Sequence, residues 1–501
     1  MTFRTPNSTM TPPVGPGPAA NAPWWRRNIV QNSVIALVLL VLAFSWYQSG
    51  NESTDFHKDE SRWLNRAHFI TDLFDPFGPN WEDQYLTRGQ PPVGSYVMGL
   101  GLWLQGKGLD TNLAWDFRQP DSFNQLNGMC AGDSDGTAYE AAVAAGVDVG
   151  GSNLCPHTDI MLAGRRTNNA LGAIAVVVVF FIVSRLSNRV GGVFASLLLI
   201  INPLQTWHNR LALADTTLTL TLALLILCAM HLVRRPSWWW AVAVGVLIGL
   251  GGANKFTPMA LAGPLGLLGA YFLIRGWLDN RKLRAPGVSW WLGFPRPNHL
   301  GWMLVSTPFI ALATFVAVNP FLWRDPIGNM RTLIRFRTDE MSNQAVISPQ
   351  FRVDSPWEAV QRTWTRLGGT WSGTQEFFHQ INLDDVGSVL AGLDVWLAAI
   401  GFVVLLVIAV RKGMQSAPVV VLLLILTEVA TIIASMRTDF ERYYLPIVLG
   451  FVILAGSAVG TFVQQIYLAA RGARRGTPAT ESFAPKWSFA SGAPDAPDHQ
   501  G

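Results

Sequence analysis

The chain has 501 residues, of which 50% are hydrophobic and 14% are charged, and its mean hydropathy is +0.26. Soluble domains carry about 25% charged residues. The low charged fraction therefore indicates that lipid surrounds most of the fold. The formal net charge of +4 is small for this length and argues against a nucleic-acid-binding surface. The chain has three cysteines and no C-x-x-C pattern that would indicate a zinc site.

The N-terminal region combines a polar tail with a first apolar run. Residues 1–27 are predicted to be a disordered cytoplasmic tail, because small residues and proline predominate. The apolar run at 29–47 has a cleaved signal peptide as its alternative. That run is long, a tail precedes it, and no A-x-A site follows it. The run is therefore predicted to be the first transmembrane helix.

Nine further apolar runs have about the 20 residues that cross about 30 Å of hydrocarbon. They are 168–186, 190–206, 213–233, 237–253, 256–274, 300–322, 394–410, 417–436 and 443–463. The predicted fold class is an all-α polytopic membrane protein with ten transmembrane helices. The short apolar segment 91–105 begins with two prolines and is expected to lie on or dip into the outer surface. If it crosses the membrane, the number of helices is eleven.

The positions of arginine and lysine predict the orientation of the chain. With a cytoplasmic N-terminus and ten crossings, every inner connection is basic, as the positive-inside rule expects. The inner segments contain Arg26/Arg27, Arg185/Arg189, Arg234/Arg235, Arg275/Arg281/Lys282/Arg284, Arg411/Lys412 and Arg471/Arg474/Arg475. The long outer loops 48–167 and 323–393 also contain arginine, but loops of this length are translocated regardless of charge. The transmembrane domain is expected to span 28–465, followed by a second disordered cytoplasmic tail, 466–501.

Candidate functional residues gather at the outer ends of the predicted helices. They are Asp59, Glu60, Asp215, Lys255, Arg437, Asp439, Glu441, Arg442, Tyr443 and Tyr444. Ionisable groups at the edge of apolar helices are costly unless they are paired or functional. Two acidic clusters and three cations are therefore expected to converge at one membrane surface.

Each of these residues also has a purely structural alternative. Asp59 and Glu60 are compatible with solvated loop charges. Asp215 is compatible with a helix N-cap, and Lys255 with a side chain that extends from a helix end to water. Arg442 and its tyrosine neighbours are compatible with an anchor at the depth of the lipid headgroups.

Two of the three cysteines lie in the first outer loop. An oxidising outer compartment permits a disulfide between Cys130 and Cys155, and two free thiols are the alternative. Cys228 lies within a predicted transmembrane helix and is interpreted as a packing residue.

The joint pattern resembles the GT-C superfamily of integral-membrane glycosyltransferases, in particular the protein O-mannosyltransferases and the lipid A aminoarabinose transferases. The motifs that carry the resemblance are Asp59-Glu60, Arg88-Gly89-Gln90-Pro91-Pro92, Asp215, the glycine-rich run that ends at Lys255, and Arg442-Tyr443-Tyr444-Leu445-Pro446. They occur in the family's order between about residues 28 and 460. This chain has Gln90 where the mannosyltransferases usually have His, and it has an apparent insertion at 107–163. The acceptor and the sugar therefore stay open.

The resemblance implies a mannosyltransferase-like enzyme that moves a sugar from a polyprenyl-phosphate donor to a hydroxyl of a protein, glycan or lipid. The expected location is the extracytoplasmic face of a bacterial plasma membrane. Asp59 would be the general base of a single, inverting displacement. Glu60 and Asp215 would position the acceptor or hold a divalent cation, Mg²⁺ or Mn²⁺. The residues expected to bind the donor phosphate are Lys255, Arg437, Arg442 and Tyr443.

Further phosphate-binding candidates lie in the second outer loop, where a solvated face is the favoured alternative. They are Arg331, Arg335 and Arg337. Two other classes of protein compete with an enzyme. A flippase for a lipid-linked sugar would be expected to have inverted repeats and polar helices at the membrane midplane, which the sequence does not indicate. A non-catalytic scaffold would not need Asp59, Asp215 and Lys255 on one face.

Overall fold

The computed structural model describes residues 28–112, 156–282 and 299–474. Within these ranges the chain forms nineteen α-helices, short 3₁₀ turns, and one isolated bridge between Arg352 and Thr438. The predicted N-terminal tail lies outside the described residues, as do Cys130, Cys155 and their predicted disulfide.

The α-helices are numbered here in chain order. The first five are α1 (Asn28–Gln48), α2 (Lys58–Asn65), α3 (Phe69–Asp72), α4 (Tyr85–Gly89) and α5 (Val93–Leu104). The next seven are α6 (Thr158–Leu186), α7 (Arg189–Ile201), α8 (Pro203–Asn209), α9 (Asp215–Arg234), α10 (Trp238–Gly252), α11 (Ala262–Lys282) and α12 (His299–Ala317). The last seven are α13 (Pro326–Ile347), α14 (Pro356–Gly368), α15 (Gly373–Gln380), α16 (Asp384–Val389), α17 (Leu393–Lys412), α18 (Ala417–Ser435) and α19 (Leu445–Arg474).

The described helices confirm the predicted fold class. Eight of them are long and apolar enough to cross a membrane, and the number is nine when the bent pair α7 and α8 is counted as one span. Helix α10 is apolar but has only 15 residues. It occupies the position of the remaining predicted run, so the ten predicted spans all correspond to helices. The chain is an all-α polytopic membrane protein.

The break between α7 and α8 follows from an Asn-Pro pair. The Asn202 side chain accepts a hydrogen bond of 3.0 Å from the N–H of Gln205, and Pro203 occupies the first turn of α8. An Asn cap followed by proline starts a new helix, because proline lacks the N–H that would continue the old one. The two helices meet at 66°. The bend sets the direction of α8, which carries Trp207 and His208.

The apolar core lies between the long helices. Val179 of α6, Leu222 of α9 and Ile453 of α19 are all buried there. Helices α17 and α19 approach closely at Gly401, where a Cβ atom would overlap the carbonyl oxygen of Leu454. Small residues allow such close backbone approach in membrane bundles. This packing holds the start of α19 against the rest of the bundle.

Side-chain contacts define two ends of the bundle. At one end, which we call the site end, the C-terminus of α1 and the N-termini of α6, α9 and α19 come together. At the other end, Arg189 donates to Gln31 at 2.6 Å and Arg234 donates to the carbonyl of Arg185 at 2.7 Å. Three of the arginines assigned to the inner connections, Arg185, Arg189 and Arg234, therefore lie opposite the site end. By the positive-inside rule, the site end is expected to face away from the cytoplasm.

Helix α5 occupies the apolar segment 91–105. It has 12 residues, about 18 Å of helix, which falls short of about 30 Å of hydrocarbon. Its Met98 and Leu102 pack in a buried cluster with Leu64 of α2, whereas Trp103 and Leu104 are more than 60% exposed. This arrangement fits a helix that dips into the surface and packs on the bundle.

Two segments differ from their predicted description. The second long loop, 323–393, is largely helical and contains α13 to α16. Helix α19 continues to Arg474, so the predicted boundary at residue 465 is too early. The run from Gln464 to Ala470 keeps residues that favour helix, and the helix extends through them for that reason.

Candidate active site

The first turn of α2 sends its two acidic residues in different directions. His57 is the N-cap, and its Nδ1 atom accepts a hydrogen bond of 3.2 Å from the N–H of Asp59. The Glu60 carboxylate accepts a hydrogen bond of 3.0 Å from the N–H of His57. This reciprocal capping box fixes the turn. Because successive helix residues are rotated by about 100°, Asp59 and Glu60 point to different surroundings.

Glu60 fastens α2 to the bundle. Its side chain is completely buried. It accepts two hydrogen bonds from Arg165 of α6, from Nε at 2.8 Å and from Nη2 at 2.7 Å, and one from the N–H of Ala212 at 2.8 Å. A bidentate, charge-assisted pair of this kind is strong and directional. Glu60 lines neither of the two cavities described below, and its contacts are those of a structural anchor.

Asp59 lines a cavity and pairs with a residue 383 positions away. Its Oδ2 atom lies 2.5 Å from Nη1 of Arg442. Burial raises the pKa of Asp59, but the charge of Arg442, assisted by His57 and Arg62, outweighs burial and holds the pKa well below its ordinary value. Asp59 is therefore a carboxylate at neutral pH. It is not a solvated loop charge.

Asp215 and Lys255 form a second ion pair. Ala214 occupies the N-cap position of α9, and no side chain caps that helix, so the N-cap alternative for Asp215 is wrong. The Asp215 carboxylate is almost fully buried and bonds to Nζ of Lys255. Burial lowers the pKa of Lys255 below its ordinary value, and the nearby Asp215 offsets this only in part. The Asn254 side chain donates to the Ala214 carbonyl at 3.0 Å and so ties the Lys255 turn to α9.

The Gln90-Pro91 segment is fixed beside Lys255. Arg66 donates to the carbonyl oxygens of Gln90 at 2.7 Å and of Pro91 at 3.3 Å. The N–H of Val93 donates to the carbonyl of Ala253 at 2.9 Å. The loop before α5 and the glycine-rich turn after α10 are thereby joined. These two sequence motifs form one wall of the site.

Two cavities meet at Arg442. The first, which we call the cation cavity, has a volume of about 250 Å³ and is lined by Lys255, Arg337, Arg442 and Tyr443 together with apolar side chains. Those apolar residues are Leu218, Phe256, Met341, Ile432, Met436 and Pro446. The second, the carboxylate cavity, has a volume of about 500 Å³ and is lined by His57, Asp59, Arg442 and other polar residues. Arg442 borders both cavities.

Arg337 belongs to the site, although a solvated face was the favoured reading of its loop. It pairs with Glu340, and its Nη2 atom lies 3.5 Å from the hydroxyl of Tyr443. Arg331 and Arg335 are exposed, and Arg335 pairs with Asp339 on the surface. The solvated-face alternative therefore describes those two residues and not Arg337.

A helical spacing in the sequence signals the position of Arg337. Leu333, Arg337, Glu340 and Gln344 follow one another at intervals of four, three and four residues. Residues at this spacing share one face of a helix. Because Leu333 is buried and Gln344 lines the carboxylate cavity, the face they share is the inward face of α13.

Arg437 lies outside both cavities, as Arg331 and Arg335 do. Its side chain is exposed, and its carbonyl accepts a hydrogen bond of 3.0 Å from the N–H of Val353. The short bridge between 352 and 438 turns this stretch of backbone toward the loop. No contact in the described residues supports the predicted binding of the donor phosphate by Arg437.

The described donor set does not fit the divalent cation predicted at Glu60 and Asp215. Glu60 is bound by Arg165, Asp215 by Lys255, and Asp59 by Arg442. In residues 28–112, 156–282 and 299–474, no group of three or more His, Cys, Asp or Glu side chains is placed to hold a metal ion. A divalent cation here would have to displace a protein cation from each carboxylate that it used.

The fold and the site define a class of membrane protein. The cation cavity combines apolar side chains with three cations, which suits an amphipathic anion, and the adjoining carboxylate cavity contains Asp59. Residues 160–294 match the family model of the dolichyl-phosphate-mannose-protein mannosyltransferases. The match contains Arg165, Asp215 and Lys255, and it confirms the resemblance to the GT-C membrane glycosyltransferases. No curated protein sequence matches the chain significantly.

Two solved structures are similar to this chain at low identity. ArnT from Cupriavidus metallidurans, bound to undecaprenyl phosphate, is 15% identical with a TM-score of 0.43, and the match covers 89% of this chain and 64% of ArnT. The archaeal oligosaccharyltransferase AglB from Archaeoglobus fulgidus, in complex with an inhibitory peptide and a dolichol-phosphate, is 13% identical with a TM-score of 0.41. That match covers 91% of this chain and 53% of AglB. The chain thus spans less than two thirds of either protein.

Loss of the Glu60 charge is expected to destabilise the fold more than loss of the Asp59 charge. Glu60→Gln leaves the guanidinium of Arg165 buried without its carboxylate, which costs about 3–5 kcal/mol. Asp59 and Arg442 line a cavity and are both partly exposed, so the loss of the Asp59 charge costs less. Thermal unfolding in detergent, followed by tryptophan fluorescence, measures both variants. Equal losses in the two variants would show that Glu60 is not the anchor of α2.

Proposed function

We propose that this protein is a membrane glycosyltransferase that moves a sugar from a polyprenyl-phosphate donor to an acceptor hydroxyl. The observation that carries the proposal is the Asp59–Arg442 pair at the junction of the two cavities. In this pair a candidate general base, Asp59, is hydrogen-bonded to a candidate phosphate-binding cation, Arg442. The description of the matching family makes mannose the first sugar to test.

The cation cavity has the chemistry that a polyprenyl phosphate requires. Its walls from α9, α18 and α19 present apolar side chains to an isoprenyl chain. Lys255, Arg337 and Arg442 present positive charge to the phosphate. Charge-assisted hydrogen bonds to phosphate are among the strong ones, and the same cations stabilise the charge that develops when the phosphate leaves.

The proposed reaction is a single displacement. The oxygen of an acceptor hydroxyl in the carboxylate cavity attacks the anomeric carbon of the donor sugar, and its proton passes to the carboxylate of Asp59. The bond from the anomeric carbon to the phosphate oxygen breaks, and its electron pair leaves with the polyprenyl phosphate. A positioned general base of this kind contributes roughly 10²–10⁴ in rate. The anomeric configuration is inverted.

The ion pair of Asp59 implies an order of binding. A carboxylate whose pKa is held low by Arg442 is a weak base. A donor phosphate in the cation cavity competes for the same guanidinium, because Arg442 borders both cavities. When Arg442 turns to the phosphate, the pKa of Asp59 rises toward its ordinary value. The donor therefore binds first and activates the base for the acceptor.

The other two carboxylates act through their cations. Asp215 orients Lys255 toward the cation cavity, and Glu60 holds α2 in place through Arg165. Both are positioning residues in this proposal. A flippase would be expected to bind its cargo near the membrane midplane. The ion pairs described here lie instead where the spanning helices begin and end, which favours the transferase.

Asp59→Asn is expected to remove transfer but not donor binding. The amide accepts no proton, so turnover falls by about 10²-fold or more. Donor affinity stays equal or increases, because Arg442 no longer has a competing carboxylate. The measurement uses protein in lipid vesicles with radiolabelled polyprenyl-phosphate mannose, and follows release of polyprenyl phosphate and donor binding separately. Asp55→Asn, an exposed carboxylate four residues earlier, is the matched control. Normal turnover in Asp59→Asn would show that Asp59 is not the general base.

Donor affinity is expected to weaken at a lower pH than an ordinary lysine would allow. Because burial lowers the pKa of Lys255, its charge is lost as the pH rises through that lowered value. Lys255→Arg keeps a cation throughout this range and should flatten the profile below the ordinary pKa of lysine. Burial also lowers the pKa of Lys58, to about 8, but Lys58 lines the carboxylate cavity. Lys58→Arg should therefore leave the donor profile unchanged, and a flat wild-type profile would contradict the role of Lys255.

Transfer is expected to persist in a chelator. Lys255, Arg337 and Arg442 supply the positive charge that a metal ion would otherwise supply, and each nearby carboxylate already has a cation. Turnover with radiolabelled donor, measured in excess EDTA and again after addition of Mg²⁺ or Mn²⁺, tests this directly. If turnover were lost in EDTA and recovered on addition of either metal, the reaction would require a divalent cation.

A further inference from the structure

The carboxylate cavity points to the chemistry of the acceptor, an inference that rests on the proposed function. We propose that the acceptor is a neutral oligosaccharide, with one sugar ring packed against Trp207 beside Asp59. Four features of the cavity support the proposal: its balanced charge, its aromatic side chains, its volume, and backbone groups that are already hydrogen-bonded to each other.

The charges that line the carboxylate cavity balance. Four lysine or arginine side chains face four aspartate or glutamate side chains. Several of them are paired, as in the contacts of Arg442 with Asp59 at 2.5 Å and of Arg366 with Asp439 at 3.0 Å. An anionic acceptor would be favoured by an excess of cations, which this cavity lacks. A sugar hydroxyl both donates and accepts, so it bonds to cations and carboxylates alike.

Aromatic side chains supply the apolar part of the cavity. Trp207 is half-buried, and its ring lies 5.8 Å from the ring of His57, two residues before Asp59. Phe351 and Phe440, with ring centroids 5.9 Å apart, also line the cavity. A pyranose ring has an apolar C–H face and a polar edge. Packing that face on an indole buries apolar surface while the edge hydroxyls remain free for polar partners.

The backbone at this cavity favours a glycan over a peptide. An extended peptide binds most simply by adding to an exposed strand edge. Here the backbone that follows the 3₁₀ turn at Phe351 already pairs with another part of the chain. The N–H of Asp439 donates to the Phe351 carbonyl at 2.6 Å, and the N–H of Val353 donates to the Arg437 carbonyl. A glycan needs no such backbone ladder.

The volume of the cavity fits more than one sugar unit. At about 500 Å³ it lies within the range of roughly 300–1,000 Å³ that is typical of ligand pockets. The sugar unit that reacts must place its hydroxyl at Asp59, and further units extend away from Arg442. Recognition of a chain of sugars is therefore expected to exceed recognition of a monosaccharide.

The test offers different acceptors to the full-length protein in vesicles with radiolabelled polyprenyl-phosphate mannose. The acceptors are mannotetraose, a linear glucose tetrasaccharide, octyl glycosides of both, a serine- and threonine-rich peptide, and water alone. We expect labelling of at least one tetrasaccharide to exceed that of the peptide by tenfold or more. Equal use of the free and octyl forms shows that the glycan itself is recognised. Preference for the octyl form shows that the glycan is presented on a lipid anchor.

The outcomes separate the two proposals. Transfer to the peptide but to no tetrasaccharide overturns the glycan acceptor and leaves the glycosyltransferase intact. Polyprenyl phosphate released only to water, with every glycan inert, also overturns the glycan acceptor. No release with any acceptor, water included, contradicts the proposed function and the glycan with it.

Variants of the aromatic side chains test where the sugar binds. Trp207→Leu is expected to raise the KM for the tetrasaccharide by about tenfold, with donor binding unchanged, and Trp207→Phe should restore most of the affinity. Phe351→Leu, at the exposed rim, gives a second and smaller rise without disturbing the buried structure. Trp364→Leu, an exposed tryptophan of α14 outside both cavities, is the matched control. An unchanged KM in both Trp207→Leu and Phe351→Leu would overturn the placement.

Discussion

A guanidinium group that leaves water at the edge of a membrane needs a negative partner, and in this protein the partner of Arg442 is Asp59. The pair connects α2 with the turn that precedes α19, although 383 positions separate the two residues. The same contact puts Arg442 at the junction of the two cavities. The arrangement of the candidate site depends on this one pair.

The three carboxylates of the site have different roles because one of their cations is fully buried and the other two border a cavity. Arg165 is completely enclosed and also donates to backbone carbonyls of the first outer segment, so its pair with Glu60 is a fixed part of the fold. Lys255 and Arg442 border an open cavity, so a ligand phosphate can reach them. A phosphate that binds there changes the surroundings of Asp215 and Asp59 but leaves those of Glu60 unchanged. Structure and chemistry are thereby separated within two adjacent residues of α2.

The sequence is sufficient to predict the membrane spans and the convergence of Asp59, Lys255 and Arg442. The lengths of the apolar runs and the positions of the basic residues determine which helix ends share one side of the membrane. It does not identify the partner of Glu60, because Arg165 reaches Glu60 only through the packing of α6 on α2. Arg337 could be found from its helical spacing with Leu333. Arg437 could not be excluded from the site, because its outward direction depends on a bridge between two loops.

The most direct test of the account is a structure with polyprenyl phosphate bound. The account predicts the phosphate in the cation cavity, in contact with Lys255 and Arg442, with the guanidinium of Arg442 moved beyond hydrogen-bonding distance of the Asp59 carboxylate. A bound phosphate that leaves the 2.5 Å contact between Arg442 and Asp59 intact, with no protein cation on it, would contradict the account.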